Sequence, residues 1–144
     1  MAKVFSLEAV LVDTGIIYAL ADRTDSWHDR AVSFVSGYGG KLVVPSTVIP
    51  EAAYLINRYL GQAAELMFVR SLLAGELAVE QITSADFGRA AELLETYADA
   101  DIGLVDATVM ALAERLKVRR ILTTDRRHYG MVKPKHWPAF EAVP

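Results

Sequence analysis

Two aspartates follow short apolar segments at matching places in the sequence. Asp13 comes directly after the run Ala9–Val12, and Asp125 comes directly after residues 120–124. If both segments are strands of one parallel sheet, their carboxyl ends meet at the edge where ligands bind in open α/β sheets. Capping of a following helix is the alternative role for each aspartate. The spacing therefore predicts two carboxylates at one edge of a sheet.

Two further acids lie among apolar neighbours. Glu51 follows Val48 and Ile49, and Asp106 lies between Val105 and Ala107. A carboxylate on an apolar surface is costly unless something compensates its charge. The start of a helix could partly compensate Asp106. A structural acid with satisfied partners is the alternative for either residue.

Convergence of the four acids would require a counter-charge. Two like charges about 4 Å apart repel by roughly 4 kcal/mol at an effective dielectric near 20. Shared protons could relieve this repulsion, and a divalent cation relieves it better. The chain has no cysteine, and its three histidines are scattered and show no helical metal-ligand spacing. An all-oxygen site of this kind favours Mg²⁺ or Mn²⁺ over zinc, and such sites support phosphoryl transfer or hydrolysis.

Short apolar runs alternating with helical periodicity predict the elements that position these acids. Strands are predicted at residues 9–12, 41–44 and 120–123, with a weaker one at 77–82. Helices are predicted at 14–22, 26–37, 62–74 and 84–97. Two more helices are predicted from apolar stripes, one along Ala52, Leu55, Ile56 and Tyr59 with Ser46 as its cap, and one from Val105 to Leu116. This alternation predicts a three-layer α/β/α fold with a central parallel sheet.

Composition sets the broad class of protein. The chain has 144 residues, of which 53% are hydrophobic, so one domain spanning residues 1–144 with one packed core is expected. No apolar run reaches the 18 residues of a membrane span. Glu8 and Asp13 interrupt the first apolar segment before a signal-peptide core could form. A soluble cytoplasmic protein without membrane association is therefore expected.

Charge is distributed unevenly along the chain. The net charge is −3, which argues against strong attraction of the whole molecule to nucleic acid. Residues 115–136 nevertheless contain eight lysines and arginines, with Asp125 as their only acid. This segment could form a patch for a phosphate backbone or an acidic partner. Solvated side chains around a helix end are the alternative.

Four acidic motifs together resemble the PIN-domain family, and within it the VapC-type toxin ribonucleases of type II toxin–antitoxin systems. The motifs are VDTGIIYAL around Asp13, VPSTVIPEAAYLI around Glu51, DIGLVDATVMALAERL around Asp106 and ILTTDRRHY around Asp125. They occur in the family's order and span nearly the whole chain. The resemblance implies a compact α/β/α fold and an endoribonuclease that acts on single-stranded RNA with Mg²⁺ or Mn²⁺.

The resemblance also implies roles for single residues. The positions that match the family's acidic site are Asp13, Glu51, Asp106 and Asp125. The three aspartates would hold the metal, and Glu51 would either complete the ligands or accept a proton from the attacking water. Thr14 and Thr123 match accompanying hydroxyl positions. Asp101 matches an additional acid, with Asp99 close enough to be the alternative.

The basic segment gains a use from this resemblance. Arg126 and Arg127 directly follow Asp125, so their side chains could reach phosphates that flank the cut site. His128, Tyr129 and Trp137 could stack on unpaired bases. Packing in the core is the alternative for the aromatic residues.

Partners follow from the resemblance as well. It implies an RNA substrate, a homodimer and a cognate antitoxin whose C-terminal segment wraps the toxin near its active site. Apolar surface on the helices at 46–74 could receive that segment, or could form core or dimer contacts. A PIN nuclease of RNA processing without an antitoxin and a non-catalytic PIN scaffold are the alternatives.

Two unrelated enzyme classes share part of the first motif. Leu11–Gly15 matches the Asp-Thr-Gly loop of aspartic proteases, but a retroviral-type protease is essentially all-β, against the helical stripes of this chain. Phosphatases of the haloacid dehalogenase type require a second aspartate two residues after the first. Gly15 stands at that position, which argues against this class.

Overall fold

Five parallel strands form the centre of the structure, a computed structural model that describes residues 9–144. The strands are β1 (Ala9–Val12), β2 (Lys41–Pro45), β3 (Ala78–Glu80), β4 (Arg120–Leu122) and β5 (Glu141–Val143). Their order across the sheet is β3-β2-β1-β4-β5. The predicted parallel sheet is thereby confirmed. Glu8, used in the signal-peptide argument, lies outside the described residues.

The middle strand β1 is covered on both faces. All four of its residues are buried, which agrees with its unbroken apolar sequence. Leu11 is in register with Val43 on one side and with Ile121 on the other. The carboxyl ends of β1 and β4 consequently lie side by side.

Helices cover the sheet in two layers, which confirms the predicted α/β/α architecture. They are α1 (Thr14–Ala21), α2 (His28–Gly37), α3 (Val48–Leu60), α4 (Gln62–Leu73), α5 (Ser84–Thr96), α6 (Leu104–Leu116) and α7 (Arg126–Met131). Helix α1 packs against α2 and α3, α3 against α4, and α5 against α6. Within residues 9–144, the helices are too short or too polar to cross a membrane.

Three elements were not predicted. These are α7, β5 and a short 3₁₀ turn at Ala98–Ala100. Strand β5 has only three residues, all half-buried, and α7 has six residues of mixed polarity. Both elements are too short for a periodic pattern of apolar residues to be recognised in the sequence.

The predicted capping role of Ser46 is wrong. Thr47 occupies the N-cap position of α3, and its side chain makes no capping hydrogen bond. The Ser46 hydroxyl instead accepts a hydrogen bond from the backbone N–H of Ile82 at 3.1 Å. Its backbone N–H donates to the carbonyl of Glu80 at 2.9 Å. Ser46 therefore joins the end of β2 to the chain that follows β3.

Two buried ion pairs join α5 to α6. Arg115 donates to Asp86 at 2.9 Å, and Arg89 donates to Glu114 at 2.7 Å. Both carboxylates are almost fully buried. Burial opposes ionisation of Asp86, but its hydrogen bonds and its pairing with Arg115 outweigh burial and hold its pKa below the usual value. These contacts fix the position of α6, which carries Asp106.

Candidate active site

Each of the four predicted acids lies at the start of a helix. Asp13 and Asp125 are the N-caps of α1 and α7. Glu51 and Asp106 lie in the first turns of α3 and α6. Helix N-termini carry partial positive charge and favour nearby carboxylates. The capping role and the clustering of the acids, weighed as alternatives for Asp13 and Asp125, therefore occur together.

Asp13 is the most buried of the four acids, at 6% exposure. Its backbone N–H donates to the carbonyl of Leu122 at 2.9 Å, which places it beside the end of β4. Its Oδ1 accepts from the backbone of Thr14 at 2.9 Å, and its Oδ2 accepts from the hydroxyl of Thr123 at 2.8 Å. Burial and the charge of Asp106 raise the pKa of Asp13 to about 6, against these two hydrogen bonds.

Asp125 is held by the first turn of α7 and by β4. Its Oδ1 accepts from the backbone N–H of His128 at 3.0 Å, and its Oδ2 lies 2.5 Å from Nδ1 of the same histidine. The backbone N–H of Asp125 donates to the hydroxyl of Thr123 at 2.9 Å. The hydrogen bond with Asp125 raises the pKa of His128 above its usual value, because the carboxylate stabilises the imidazolium.

Asp106, Asp125 and His128 form a group with the spacing of a metal site. One carboxylate oxygen from each aspartate and one imidazole nitrogen lie within 4.8 Å of one another. Burial and the charge of Asp125 raise the pKa of Asp106, while His128 and the backbone of Gly103 favour its ionised form. The helix N-termini therefore do not fully compensate the clustered charge. A divalent cation would supply the remaining positive charge.

Glu51 lies at the margin of this group. Its charge contributes to the raised pKa of both Asp13 and Asp106, so it faces them. Glu51 is exposed to solvent, so its charge does not bear the cost of burial that its apolar neighbours in the sequence suggested. Its exposure suits contact with a substrate or with water.

A pair of threonines aligns the two helices that carry Glu51 and Asp106. The hydroxyls of Thr47 and Thr108 lie 2.7 Å apart, and Thr108 also donates to the carbonyl of Val105 at 2.8 Å. Thr47 precedes α3, and Thr108 is in the second turn of α6. This contact connects the N-termini of α3 and α6.

Polar atoms without protein partners surround the carboxylates. Within residues 9–144, Oγ1 of Thr14, Nε2 of His128 and the hydroxyl of Tyr129 are buried and have no hydrogen-bond partner. Tyr129 is 1% exposed, and burial together with the charges of the three aspartates raises its pKa well above 10. Buried polar groups normally have partners. The residues present therefore fit a hydrated divalent cation.

Asp101 and Asp99 are both exposed at the turn before α6. Asp101 adopts a left-handed backbone conformation, with φ of 58°, which aspartate tolerates better than most residues. Neither residue is in the group formed by Asp106, Asp125 and His128. The choice between them as an additional acid stays a prediction.

Arg126 and Arg127 lie in the first turn of α7, exposed beside Asp125. The guanidinium of Arg126 donates to the backbone carbonyl of Pro144. The positive charge of Arg127 acts against protonation of His128, so Arg127 lies close to the group. Within residues 9–144, no hydrogen bond or ion pair holds the side chain of Arg127, whereas Arg126 is bound to Pro144.

Most of the remaining basic segment is paired with acids. Arg115 pairs with Asp86, and Lys135 lies 3.7 Å from Glu92. Arg119 and Arg120 both contact Glu141, at 3.5 and 3.4 Å. Because these four charges have acidic partners, residues 115–136 do not form one continuous unpaired patch.

The structure also separates the aromatic candidates for base stacking. Tyr129 packs edge-on against Phe140 in the core, with ring centroids 5.9 Å apart. The suggestion that Tyr129 stacks on bases is therefore wrong, and the core alternative is correct. Trp137 is 37% exposed, and the guanidinium of Arg119 lies 5.0 Å from its ring.

Sequence reasoning missed His128 as a member of the site. Its separation of three residues from Asp125, at the start of a helix, was a signal that could have found it. Tyr129 had no such signal, because its hydroxyl enters the site from the core. Thr47 and Thr108 come from distant parts of the chain, so only the folded structure reveals their contact.

Comparisons with known proteins show the family of the chain and agree with its fold. The PIN domain family model matches residues 10–133. Ribonuclease VapC26 of Mycobacterium tuberculosis is 31% identical over 135 residues, which are 94% of this chain and 100% of the relative. The crystal structure of M. tuberculosis VapC20, a sarcin-ricin loop cleaving toxin, has a TM-score of 0.77 at 24% identity, covering 81% of this chain and 90% of that one. VapBC2 of Rickettsia felis, bound to promoter DNA, has a TM-score of 0.65 at 15% identity, covering 93% and 96%.

Proposed function

The chain belongs to the PIN domain family, and on that premise we propose that it is a metal-dependent endoribonuclease, the toxin of a type II toxin–antitoxin pair. The observation that carries the proposal is the convergence of Asp13, Asp106 and Asp125 at the carboxyl edge of the sheet. The 31% identity to ribonuclease VapC26 supports RNA as the substrate.

The three aspartates are the proposed ligands of Mg²⁺ or Mn²⁺, held directly or through water. The raised pKa values of Asp13 and Asp106, and the unpartnered atoms around the three aspartates, support this assignment. When bound, a divalent cation lowers the pKa of its water and offsets charge on the phosphate. Thr123 orients two of the aspartates at once, by donating to Asp13 and accepting from the backbone of Asp125.

Glu51 has the exposure that a proton acceptor needs. In hydrolysis, the water oxygen bonds to phosphorus, the bond from phosphorus to the leaving oxygen breaks, and the water releases a proton. Glu51 faces Asp13 and Asp106 from the solvent side, so it is placed either to accept that proton or to complete the ligands. Arg127, and to a smaller extent Arg126, are proposed to contact flanking phosphates.

A cleavage assay tests the nuclease proposal. The purified chain is incubated with a labelled, unstructured RNA in the presence of Mg²⁺, Mn²⁺ or EDTA. Internal cutting with metal and none with EDTA is expected. No cutting by folded, metal-loaded protein on diverse RNAs, including ribosomal and transfer RNA, would favour the non-catalytic scaffold.

An apolar groove between α1, α2 and α4 supports the antitoxin proposal. Its lining includes Ile17, Leu20, Met67, Phe68 and Leu77. Met67 is 73% exposed, and a partner segment seated in the groove would cover it. The groove includes part of the helical surface at 46–74 that the sequence offered for an antitoxin segment, so we propose it as the docking site.

A homodimer is proposed from further apolar surface. Tyr54 and Tyr59 on α3 and Leu66 on α4 are each about half exposed or more. Light scattering of the purified chain tests this assembly, with a mass twice that of the 15.8 kDa chain expected.

Expression in a bacterial host separates a toxin from an RNA-processing enzyme. The chain alone is expected to arrest growth, and co-expression of its cognate antitoxin, sought as a small gene immediately upstream, is expected to restore it. Active cleavage in vitro without growth arrest, and without any complex between the two proteins, would favour the processing nuclease.

A further inference from the structure

The imidazole of His128 is held within the acidic group. Its Nδ1 lies 2.5 Å from Oδ2 of Asp125, and the charge of His128 is close enough to Asp106 to favour its ionised form. An imidazole nitrogen and one oxygen of each aspartate lie within 4.8 Å of one another. Three atoms with this spacing can coordinate one ion.

The backbone fixes where this ring lies. The N–H of His128 donates to Oδ1 of Asp125, and the N–H of Asp125 donates to Thr123 at the end of β4. The side chain of His128 is 17% exposed. The ring is therefore held beside Asp125 before any ligand binds.

Unpartnered atoms give independent evidence that something polar occupies the space between these groups. Nε2 of His128 is buried without a hydrogen-bond partner among the described residues. The Tyr129 hydroxyl, in a residue only 1% exposed, has no hydrogen bond of ordinary geometry, and it lies close to Asp13. A cation with its bound water would satisfy these atoms.

We propose that His128 supplies a nitrogen ligand to the divalent cation held by Asp106 and Asp125, so that the site binds Mn²⁺ in preference to Mg²⁺. The inference rests on the proposed function, because the cation is the one that the nuclease uses. The proposed ligand set differs from the all-oxygen site expected from the sequence. Imidazole nitrogen binds first-row transition metals well, whereas Mg²⁺ strongly prefers oxygen ligands.

Pulsed electron paramagnetic resonance of bound Mn²⁺ tests this directly. The full chain loaded with Mn²⁺ is expected to show coupling of the electron spin to nitrogen-14. Titration calorimetry with each metal alone measures affinity in the same samples. The variant His128→Asn keeps a donor near the position of Nδ1 and removes the ring. It is expected to lose the nitrogen coupling and at least about tenfold in Mn²⁺ affinity, with Mg²⁺ affinity changed by less than about threefold.

His136→Asn is the matched control. Nε2 of His136 lies 2.7 Å from the carbonyl of Val118, before β4 and away from the aspartates. This variant is expected to keep both the nitrogen coupling and the Mn²⁺ affinity. Loss of the coupling in His136→Asn but not in His128→Asn would overturn the assignment.

The outcomes separate the inference from the proposed function. Tight Mn²⁺ binding without nitrogen coupling in the unaltered chain, together with metal-dependent RNA cleavage, would overturn the role of His128 and leave the nuclease intact. Equal losses of Mg²⁺ and Mn²⁺ affinity in His128→Asn, without coupling in the unaltered chain, would make His128 only a support for Asp125. Absence of both metal binding and cleavage would overturn the proposed function itself.

Discussion

The hydroxyl of Thr123 donates a 2.8 Å hydrogen bond to Oδ2 of Asp13 across 110 positions of the sequence. The same hydroxyl accepts a hydrogen bond from the backbone N–H of Asp125 at 2.9 Å. One buried side chain at the end of β4 therefore positions two carboxylates that come from opposite ends of the chain. The parallel pairing of β1 with β4 makes this contact possible.

Replacement of Thr123 by valine is expected to disturb both aspartates. Valine keeps the shape but removes the hydroxyl, which leaves a buried carboxylate oxygen of Asp13 without its donor. A loss of about 1–3 kcal/mol in the free energy of unfolding is expected, with reduced RNA cleavage. Thr123→Ser, which keeps the hydroxyl, is expected to retain most of both. Equal stability of the valine and serine variants in urea unfolding would contradict this role.

A side chain at Gly15 is expected to destabilise the protein. A Cβ there would lie 2.3 Å from Oγ1 of Thr124, so the threonine side chain would have to move. Gly15→Ala is expected to cost about 1–3 kcal/mol, and Thr124→Ala in the same chain should recover part of it. A double-mutant cycle measures this coupling.

The control for Gly15 is the same substitution in open space. A Cβ on Gly88 would contact nothing within 4 Å, and the residue lies inside α5. Gly88→Ala is therefore expected to stabilise the protein by roughly 0.5–1 kcal/mol. Equal effects at the two glycines would contradict the steric argument.

The ion pair between Asp86 and Arg115 is expected to make stability depend on pH. The folded pKa of Asp86 lies below its ordinary value of 3.8, so its contribution is fully present above about pH 4 and is lost as pH falls through the folded pKa. The stability gap between the unaltered protein and Asp86→Asn should shrink between pH 7 and about pH 3. Urea unfolding at each pH measures the gap. Glu95→Gln, an exposed change on the same helix, is expected to open no such gap.

Arg127 is expected to contribute to RNA affinity through a phosphate contact. Arg127→Glu, made together with Asp13→Asn to prevent cutting, should weaken binding and lower the slope of log affinity against log salt by about 1. Fluorescence anisotropy at several salt concentrations measures this slope. Lys117→Glu changes charge equally, but Lys117 precedes β4 whereas Arg127 follows it. An equal effect of both variants would indicate nonspecific attraction.

Apolar patterns were sufficient to predict most of the fold. The buried run of β1 and the stripe of α6 are long enough to show their periods, whereas β5 and α7 are too short. The rule for strand ends correctly placed Asp13 and Asp125 on one edge of the sheet. That rule does not say which side chains contact each other, so it did not predict the contact of His128 with Asp125. Exposure of Glu51 depends on how α3 is rotated, which its apolar neighbours did not reveal.

The ionised side chain of Asp13 is expected to lower the stability of the metal-free protein. Its folded pKa of about 6 lies above its ordinary value of 3.8, so ionisation costs stability, from nothing below pH 3.8 to the full amount above pH 6. Asp13→Asn keeps an acceptor for the N-cap. It is expected to stabilise the protein in EDTA by about 1–3 kcal/mol at neutral pH, and by less in acid. Asp99→Asn, at an exposed position, is the control.

Cleavage of a labelled, unstructured RNA by Asp13→Asn, beside the unaltered chain, tests the central claim most directly. With Mg²⁺ or Mn²⁺, the unaltered chain is expected to cut, and EDTA is expected to abolish cutting. The folded variant is expected to show at least about a hundredfold slower cleavage, as expected when a group that stabilises the transition state is removed. Metal-dependent cutting by Asp13→Asn at the rate of the unaltered chain would contradict the assignment of this acidic cluster as the active site.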